Sequence, residues 1–298
     1  MAKFEVQECP VCGNTTFSSF LTCKDFFVSG EEFTIKKCDE CDFKITANIE
    51  DEENIGSYYQ SDEYISHSNT SKGIVNSAYH RVRNYMLGQK RKLVERSAGM
   101  QSGHILDVGT GTGYFLHEMV QHGWQVTGTE KSSDARAFAK SEFNLEILET
   151  EELFSLKEKH FDAITLWHVL EHIHRLDENM LTFQQLLKRD GKLIIAVPNH
   201  KSYDARNYKQ FWAAYDVPRH IWHFSPKQMK QFGEKHGFTL EKTRIMPFDS
   251  FYVSMLSEKY KKTKFQFPAG ILHGTISWLL SLIISKNCSS VIYVFKKQ

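Results

Sequence analysis

The sequence carries no excess of charge of either sign and no long, uninterrupted hydrophobic run. Its 37 Lys and Arg residues balance 36 Asp and Glu residues, which leaves a formal net charge of +1. A chain so close to neutral has no overall attraction to nucleic acid or to anionic membranes. The longest apolar stretch, residues 269–284, is shorter than the roughly 20 residues of a membrane-spanning helix, and polar residues interrupt it. Because the first residues also lack an apolar secretory signal, we expect a cytoplasmic protein.

Cysteine is scarce as well, but its placement is informative. All but one of the 6 cysteines lie near the N-terminus, and four of them form two CxxC pairs, CPVCG and CDEC. Two such pairs suit tetrahedral coordination of zinc by four thiolates, which leaves no open position for catalysis. Two redox-active pairs are the alternative. We predict a zinc ribbon over residues 1–48 with a structural Zn²⁺ bound by Cys9, Cys12, Cys38 and Cys41.

The rest of the chain divides into a connecting segment and a large α/β domain. Residues 49–102 predict a helical linker or cap, because apolar positions recur at helical spacing between residues 76 and 96. Over residues 103–298 short apolar strands alternate with helices. This alternation predicts a mostly parallel sheet with helices on both faces.

A helical insertion is predicted within the large domain, over residues 247–288. Its apolar residues follow a helical stripe formed by Leu272, Ile276, Leu279, Leu280 and Ile283. Such a stripe can cover an acceptor pocket or form a dimer face. It can also lie on a membrane surface, and we keep peripheral membrane contact through residues 269–284 as a further possibility.

A glycine-rich turn carries the first chemical signal. Gly109, Gly111 and Gly113 follow a predicted strand directly and open a helix, where glycine permits unusual backbone angles and close approach of a ligand. Glu130 ends the next strand, where an acidic side chain can accept both hydroxyls of a ribose. The dinucleotide fingerprint GxGxxG would require glycine at Tyr114. A nicotinamide cofactor therefore fits less well, although a dehydrogenase stays among the alternatives.

The GxGxG spacing, with Asp107 two residues before it, resembles motif I of the class I S-adenosylmethionine-dependent methyltransferases. Two later segments, FDAITLWHVLEHI at 161–173 and DVPRHIWHFS at 216–225, resemble segments of the ubiquinone-biosynthesis-like subfamily. The three motifs occur in the family's order within residues 76–298. The resemblance implies a Rossmann-like, seven-stranded, mostly parallel sheet with the last strand antiparallel, and methyl transfer from S-adenosyl-L-methionine.

The same resemblance implies roles for individual residues in binding the methyl donor. The three glycines would hold its methionine moiety, Asp107 would order the loop beneath them, and Glu130 would bind the ribose hydroxyls. The adenine and the sulfonium would be bordered by residues that follow the next two strands, namely Thr150, Glu151, Leu166, Trp167 and His168.

Histidines supply the candidate catalytic groups, since a hydroxyl acceptor gains from a general base near neutral pH. We favour His220, which lies in the third motif, and place His172 second. His172 also lies with His168 and Glu171 at i, i+3 and i+4, so the three share one face if the segment is helical. The subfamily has acidic and histidine residues at matching positions that can hold a divalent metal, but this sequence has His168 where that pattern has an acid. We therefore favour the interpretation that the three cap the helix after the fourth strand and orient the donor.

The acceptor is expected to be a small molecule or a glycan- or lipid-type compound. Nucleic acid is not expected as a partner, because basic and acidic residues are mixed throughout the ribbon. An RNA-directed methyltransferase and a non-catalytic, cofactor-binding scaffold protein stay open as alternatives. The sequence defines neither the acceptor atom nor the oligomeric state.

Overall fold

A computed structural model describes residues 3–59, 74–246, 248–283 and 287–298. In these residues the strands are β1 (Lys3–Phe4), β2 (Phe17–Lys24), β3 (Glu32–Cys38), β4 (Lys44–Thr46), β5 (Ile49–Glu50), β6 (His104–Val108), β7 (Gln125–Thr129), β8 (Phe161–Trp167), β9 (Leu187–Pro198), β10 (Trp222–His223), β11 (Phe238–Ile245) and β12 (Ser290–Lys297). The helices are α1 (Ile74–Ala98), α2 (Tyr114–Gln121), α3 (Ser133–Phe143), α4 (Leu176–Leu186), α5 (Tyr203–Tyr208), α6 (Pro226–Lys235), α7 (Asp249–Lys261) and α8 (Gln266–Ile283).

The central sheet is mixed and mostly parallel, with strand order β11-β12-β9-β8-β6-β7. Strand β12 runs antiparallel to both of its neighbours, which confirms the predicted reversal of the last strand. The prediction of seven strands is wrong for the described residues, which form six. The seventh position, beside β7, holds only a single bridge between Leu148 and Thr129. Glu149 and Glu152 form a capping box there, so the chain enters a 3-10 helix at Thr150 instead of continuing as a strand.

Helices cover both faces of the sheet, as the alternation predicted. Neighbouring residues of a strand point to opposite faces, so Ile105 and Leu106 belong to different apolar clusters. Ile105 packs in the cluster that contains Val94 of α1 and Met119 of α2. Leu106 packs in the larger cluster, which includes Phe183 of α4.

The N-terminal unit shares a sheet with the large domain. This second sheet has the order β10-β4-β3-β2, and its edge strand β10 comes from the third sequence motif. Trp222 of β10 pairs with Ile45 of β4, and its ring stacks on Phe43 with the centroids 6.2 Å apart. The ribbon and the third motif are therefore built as one structure.

The predicted insertion forms two helices, α7 and α8, that pack closely on each other. A Cβ atom added at Gly270 or Gly274 would lie only 2.8 or 2.9 Å from a backbone Cα atom of α7. These glycines, with Ser277 and Ser281, form the buried face of α8. The large apolar residues consequently point away from α7 instead of into the core. Within the described residues, no helix is both long and apolar enough to span a bilayer.

Candidate active site

The glycine turn connects β6 to α2 with backbone angles that favour glycine. Gly109, Gly111 and Gly113 have φ values of 66°, 57° and 82°, all in the left-handed region. A Cβ at Gly109 would lie 2.6 Å from a methyl carbon of Val169, whereas one at Gly111 would meet no atom within 4 Å. The turn is thus packed from behind and leaves open space in front of Gly111.

Glu130 is bound to this turn. One carboxylate oxygen accepts a hydrogen bond of 2.8 Å from the Gly111 amide, and the other accepts one of 2.9 Å from the Ser132 amide. A carboxylate offers about four lone-pair positions, so two remain for outside donors. The residues therefore fit a ligand with two neighbouring hydroxyls, such as a ribose.

Most amides of the glycine turn are already paired within the protein. The amides of Gly109 and Thr110 both donate to the Thr129 carbonyl, and the Gly113 amide donates to the Thr110 carbonyl. These amides are therefore not free to bind an anion from outside. In the folded chain the anion on the turn is the Glu130 carboxylate, and the turn serves to orient that side chain.

Asp107 lies in the core behind the turn. Its side chain is almost fully buried and accepts a hydrogen bond of 2.5 Å from Thr165 on β8. Burial raises the pKa of this carboxyl to about 6, although the bond from Thr165 opposes that shift. Asp107 thus joins the ends of two adjacent strands.

The remaining predicted donor-binding residues lie along the same edge but differ in exposure. Glu151 is exposed and makes two hydrogen bonds of 2.7 and 2.8 Å with Arg175, close to Thr150 at the start of the 3-10 helix. Leu166 is fully buried in the core, so its side chain is not accessible to a ligand. The ring of Trp167 packs edge-on against Phe115, with the centroids 5.4 Å apart.

His168 follows β8 in a left-handed conformation, with φ 60°, and lies between two carboxylates. Its Nε2 is 3.0 Å from Asp249, and its Nδ1 is 3.4 Å from Glu171. Burial alone would lower its pKa, but the two acids outweigh burial and raise the pKa to about 10. His168 is therefore a cation that ties the end of β8 to the first turn of α7.

Glu171, His172 and His220 form a cluster at the same edge, in which Glu171 and His220 are buried and His172 is half-buried. Their ligand atoms all lie within 4.8 Å of one another, so they could jointly hold a metal ion. Neither oxygen of the buried Glu171 carboxylate accepts a well-aligned hydrogen bond from a described residue, and its nearest cation is His168, with Nδ1 3.4 Å away. The two imidazole rings meet edge to face with their centroids 4.5 Å apart.

Each histidine of this cluster has its Nδ1 engaged by the backbone. Nδ1 of His220 donates to the Ala214 carbonyl over 2.9 Å, and Nδ1 of His172 donates to the Arg219 carbonyl over 3.1 Å. These bonds leave Nε2 of both rings as the proton-accepting nitrogen. Burial, with help from the neighbouring His220, lowers the pKa of His172 to about 4.

The segment that carries His220 is braced by the N-terminal unit. Arg219 is buried and pairs with Asp216 at 2.7 Å and with the fully buried Asp25 at 2.9 Å. Thr46 of β4 donates a hydrogen bond of 2.6 Å to the carbonyl of His220. Residues far apart in sequence therefore fix the position of this ring.

Two further residues lie at this edge that are not among the predicted site residues. Lys90 of α1 places its amine 4.5 Å from the centre of the Trp167 ring, beside the proposed donor crevice. Tyr59 places its hydroxyl 3.0 Å from Nδ1 of His172. Neither lies in a motif, and only the helical phase of α1 hints that Lys90 faces the sheet.

The four ribbon cysteines come together as predicted. Sγ of Cys9 lies 3.5 Å from that of Cys41, and Cys12 and Cys38 form an equivalent pair at 3.5 Å. Tetrahedral zinc with Zn–S bonds of ~2.3 Å requires sulfur atoms roughly 3.8 Å apart. Left-handed residues, Gly13 and Asp42, follow the two CxxC pairs and let the chain turn back around the site. The donor set and its spacing fit Zn²⁺.

Comparison with known proteins agrees with this geometry. Residues 79–243 match the family model described as a methyltransferase domain. The ubiquinone biosynthesis O-methyltransferase of Coxiella burnetii is 25% identical over 149 residues, covering 48% of this chain and 61% of that protein. The same enzyme of Salmonella paratyphi A is 28% identical over 155 residues, covering 50% and 60%. The chain thus spans less than two thirds of either relative.

Solved structures add a likeness of fold. The magnesium protoporphyrin IX methyltransferase of Synechocystis PCC 6803, determined with bound SAH, is 14% identical with a TM-score of 0.54. The alignment covers 83% of this chain and 100% of that one. At this identity the likeness concerns the architecture alone.

Proposed function

The chain belongs to the methyltransferase-domain family, and we propose that it transfers a methyl group from S-adenosylmethionine to a small-molecule or a glycan- or lipid-type acceptor. The observation that carries this proposal is the Glu130 carboxylate, fixed by the Gly111 and Ser132 amides with two acceptor positions left over. A ribose with two free hydroxyls matches those positions. The open space before Gly111 leaves room for the methionine part of the donor.

Methyl transfer is an in-line displacement at a sulfonium that is already activated. The protein's main task is alignment of the acceptor with the methyl–sulfur bond, which contributes up to ~7–11 kcal/mol in well-oriented reactions. The described residues at the ends of β6, β7 and β8 would hold the donor on one side of this alignment. The cluster of Glu171, His172 and His220 would lie on the acceptor side.

We assign the role of general base to His220. Its Nδ1 proton is held by the Ala214 carbonyl, so Nε2 can take a proton from an acceptor hydroxyl. Glu171 lies 4.0 Å from that nitrogen and would stabilise the imidazolium that forms. His172 is the second candidate, because its backbone hydrogen bond is likewise made by Nδ1 and leaves Nε2 to accept a proton.

A divalent ion on Glu171, His172 and His220 is the alternative for the acceptor side. An ion there would give the buried Glu171 carboxylate a direct ligand bond, where it now has only ion-pair contacts with His168 and His220, and would acidify a bound hydroxyl. Turnover that survives extensive treatment with EDTA would support the base. Turnover that disappears and returns with added Mg²⁺ or Zn²⁺, at unchanged donor affinity, would support the ion.

The ribbon is proposed to bind a structural Zn²⁺ through its four cysteines. Zinc would stabilise the turn that leads into β2 and the turn that joins β3 to β4, and β4 pairs with β10 next to His220. We expect purified protein to contain one zinc per chain by atomic absorption. Cys38→Ser should lower both the zinc content and the melting temperature, whereas Cys288→Ser, a buried cysteine outside the cluster, should leave the zinc content unchanged. Zinc-free wild-type protein of full stability would refute this assignment.

Donor binding tests the proposed function directly. Isothermal titration calorimetry should show S-adenosylmethionine and S-adenosylhomocysteine binding with one site per chain, and no binding of NADH or NADPH. Incubation of cell extracts with methyl-labelled donor should then yield a labelled acceptor. Binding of a nicotinamide dinucleotide in preference to the donor would overturn the proposal, and donor binding without any turnover would favour the non-catalytic scaffold.

A further inference from the structure

The outer face of α8 is apolar and open to solvent. Phe267, Ile271, Leu272, Leu279 and Leu282 are all exposed, and their spacing places them on one side of the helix. Leu272 and Leu282 are 58% and 59% exposed, and Ile283 is 80% exposed. The opposite side already packs on α7 through its small residues, so the apolar face has no partner among the described residues. A continuous apolar surface of this kind marks an interaction site.

Positive charge surrounds this face. Lys262 and Lys264 are exposed in the turn between α7 and α8. From Lys259 to the end of the chain, the sequence contains no Asp or Glu. The local charge therefore departs strongly from the near-neutral average of the whole chain.

A basic groove continues the same surface. It has a volume of about 670 Å³ and lies between α1, the end of β11 and the helix pair. Apolar side chains of the helix pair form one wall, namely Phe248, Phe251 and Trp278. Four exposed cations also line the groove, among apolar and neutral polar residues of α1 and the sheet edge, namely Lys92, Arg96, Lys242 and Arg244. No carboxylate lines the groove, and none of these four cations pairs with a described residue.

We propose that the α7–α8 pair and the basic groove dock onto an anionic lipid surface. Apolar side chains on the outer face of α8 would enter the interface between headgroups and acyl chains, and the lysines and arginines would contact the lipid phosphates. The helix would lie in the plane of the membrane, in agreement with the absence of a described helix able to cross it.

Charge argues for lipid over a second copy of the chain. A symmetric dimer through this face would place the same cations against one another, with no acidic residue of the patch to offset them. Nucleic acid would meet the cations, but it would leave the aliphatic side chains of α8 in water. An anionic bilayer is the partner that satisfies both the apolar and the charged parts of the surface.

The docked helices are attached to the proposed active site. Asp249, in the first turn of α7, forms the 3.0 Å ion pair with His168 at the end of β8. Phe248 and Phe251 of the same turn line the groove. Docking would therefore place the catalytic edge of the sheet beside the membrane.

Vesicle sedimentation of the full chain tests the proposal without any methyl acceptor. The protein should sediment with vesicles of phosphatidylcholine and phosphatidylglycerol at low salt, and much less with phosphatidylcholine alone or at high salt. Each cation near the surface contributes roughly fivefold to affinity, so Lys242→Glu with Arg244→Glu should weaken binding about 25-fold or more. Leu272→Ser with Leu282→Ser should weaken binding similarly, and its residual binding should depend more on salt.

Matched controls separate docking from general surface effects. Lys157→Glu changes an exposed lysine elsewhere, and Leu181→Ser changes an exposed leucine on α4. Both should bind anionic vesicles like the wild type, and all variants should keep the wild-type melting temperature and donor affinity. The proposal is overturned if the folded wild type ignores anionic vesicles or if the paired variants bind like the controls. It is also overturned if light scattering shows a dimer that those variants dissociate, or if RNA displaces the vesicles.

Discussion

Replacing Glu130 with alanine isolates the contact on which the proposed function rests. The carboxylate currently accepts two backbone hydrogen bonds, from Gly111 at 2.8 Å and from Ser132 at 2.9 Å. In the donor complex we expect its other two lone-pair positions to accept the ribose hydroxyls. The substitution removes all four bonds but leaves the glycine turn packed against Val169.

The size of the effect follows from the two ligand bonds. Hydrogen bonds to a charged group contribute ~1.5–3 kcal/mol each, so the loss of two should cost about 3 kcal/mol or more of binding free energy. At ~1.4 kcal/mol per tenfold change, that corresponds to a dissociation constant raised by roughly 150-fold. Glu130→Gln keeps one oxygen acceptor without the charge, and we expect an intermediate loss of about tenfold.

Calorimetric titration with S-adenosylhomocysteine measures this loss without turnover. Glu142→Ala removes an exposed acid at the end of α3 and should leave the dissociation constant unchanged. Far-ultraviolet circular dichroism and the melting temperature report whether the variants stay folded. A folded Glu130→Ala protein that binds the ligand as tightly as the wild type would refute the ribose assignment, and with it the argument for donor binding.

Three other substitutions test the surroundings of the site. His220→Ala should slow turnover by ~10²–10⁴ while leaving donor affinity unchanged, and wild-type turnover would exclude His220 as the base. Asp25→Asn leaves the buried Arg219 guanidinium with one acid instead of two, so it should lower the free energy of unfolding by about 3 kcal/mol in urea denaturation. An unchanged urea midpoint would contradict the role of Asp25 in holding Arg219. Gly109→Ala places an alanine at a left-handed φ and brings its Cβ within 2.6 Å of Val169, so it should lower the melting temperature. Adding Val169→Ala should recover part of that loss. An unchanged melting temperature in Gly109→Ala would show that the turn adapts to the added methyl group.

The sequence predicted those parts of the fold in which local pattern and packing agree. Strand β8 occupies residues 161–167 as expected, because seven apolar-rich residues lie buried between two parallel neighbours. Helix α6 begins at Pro226 behind the Ser225 cap, where Gln228 completes a capping box. The GxGxG turn also forms as predicted, because its three glycines can adopt the left-handed backbone angles found between β6 and α2.

The prediction failed where a distant or competing contact decides the structure. The family resemblance implied a seventh strand, but beside β7 the Glu149 cap starts a 3-10 helix instead. The apolar stripe of α8 suggested that its large residues pack against another part of the protein. In the structure the small residues on the opposite side of α8 pack against α7, and most of the large residues are exposed. The burial of Asp25 could not be predicted from the sequence, because its ion-pair partner Arg219 is far along the chain.

The shared sheet connects the cysteine-rich unit to the segment that carries His220, the proposed base. Zinc would hold the turn before β4, β4 pairs with β10, and Thr46 of β4 bonds the His220 carbonyl. Asp25, from the same unit, neutralises Arg219 beside that histidine. A base must be held within a few tenths of an ångström to share a proton with an acceptor, and a short loop alone seldom achieves this. Because both braces come from the N-terminal unit, loss of zinc should displace His220 before the central sheet unfolds.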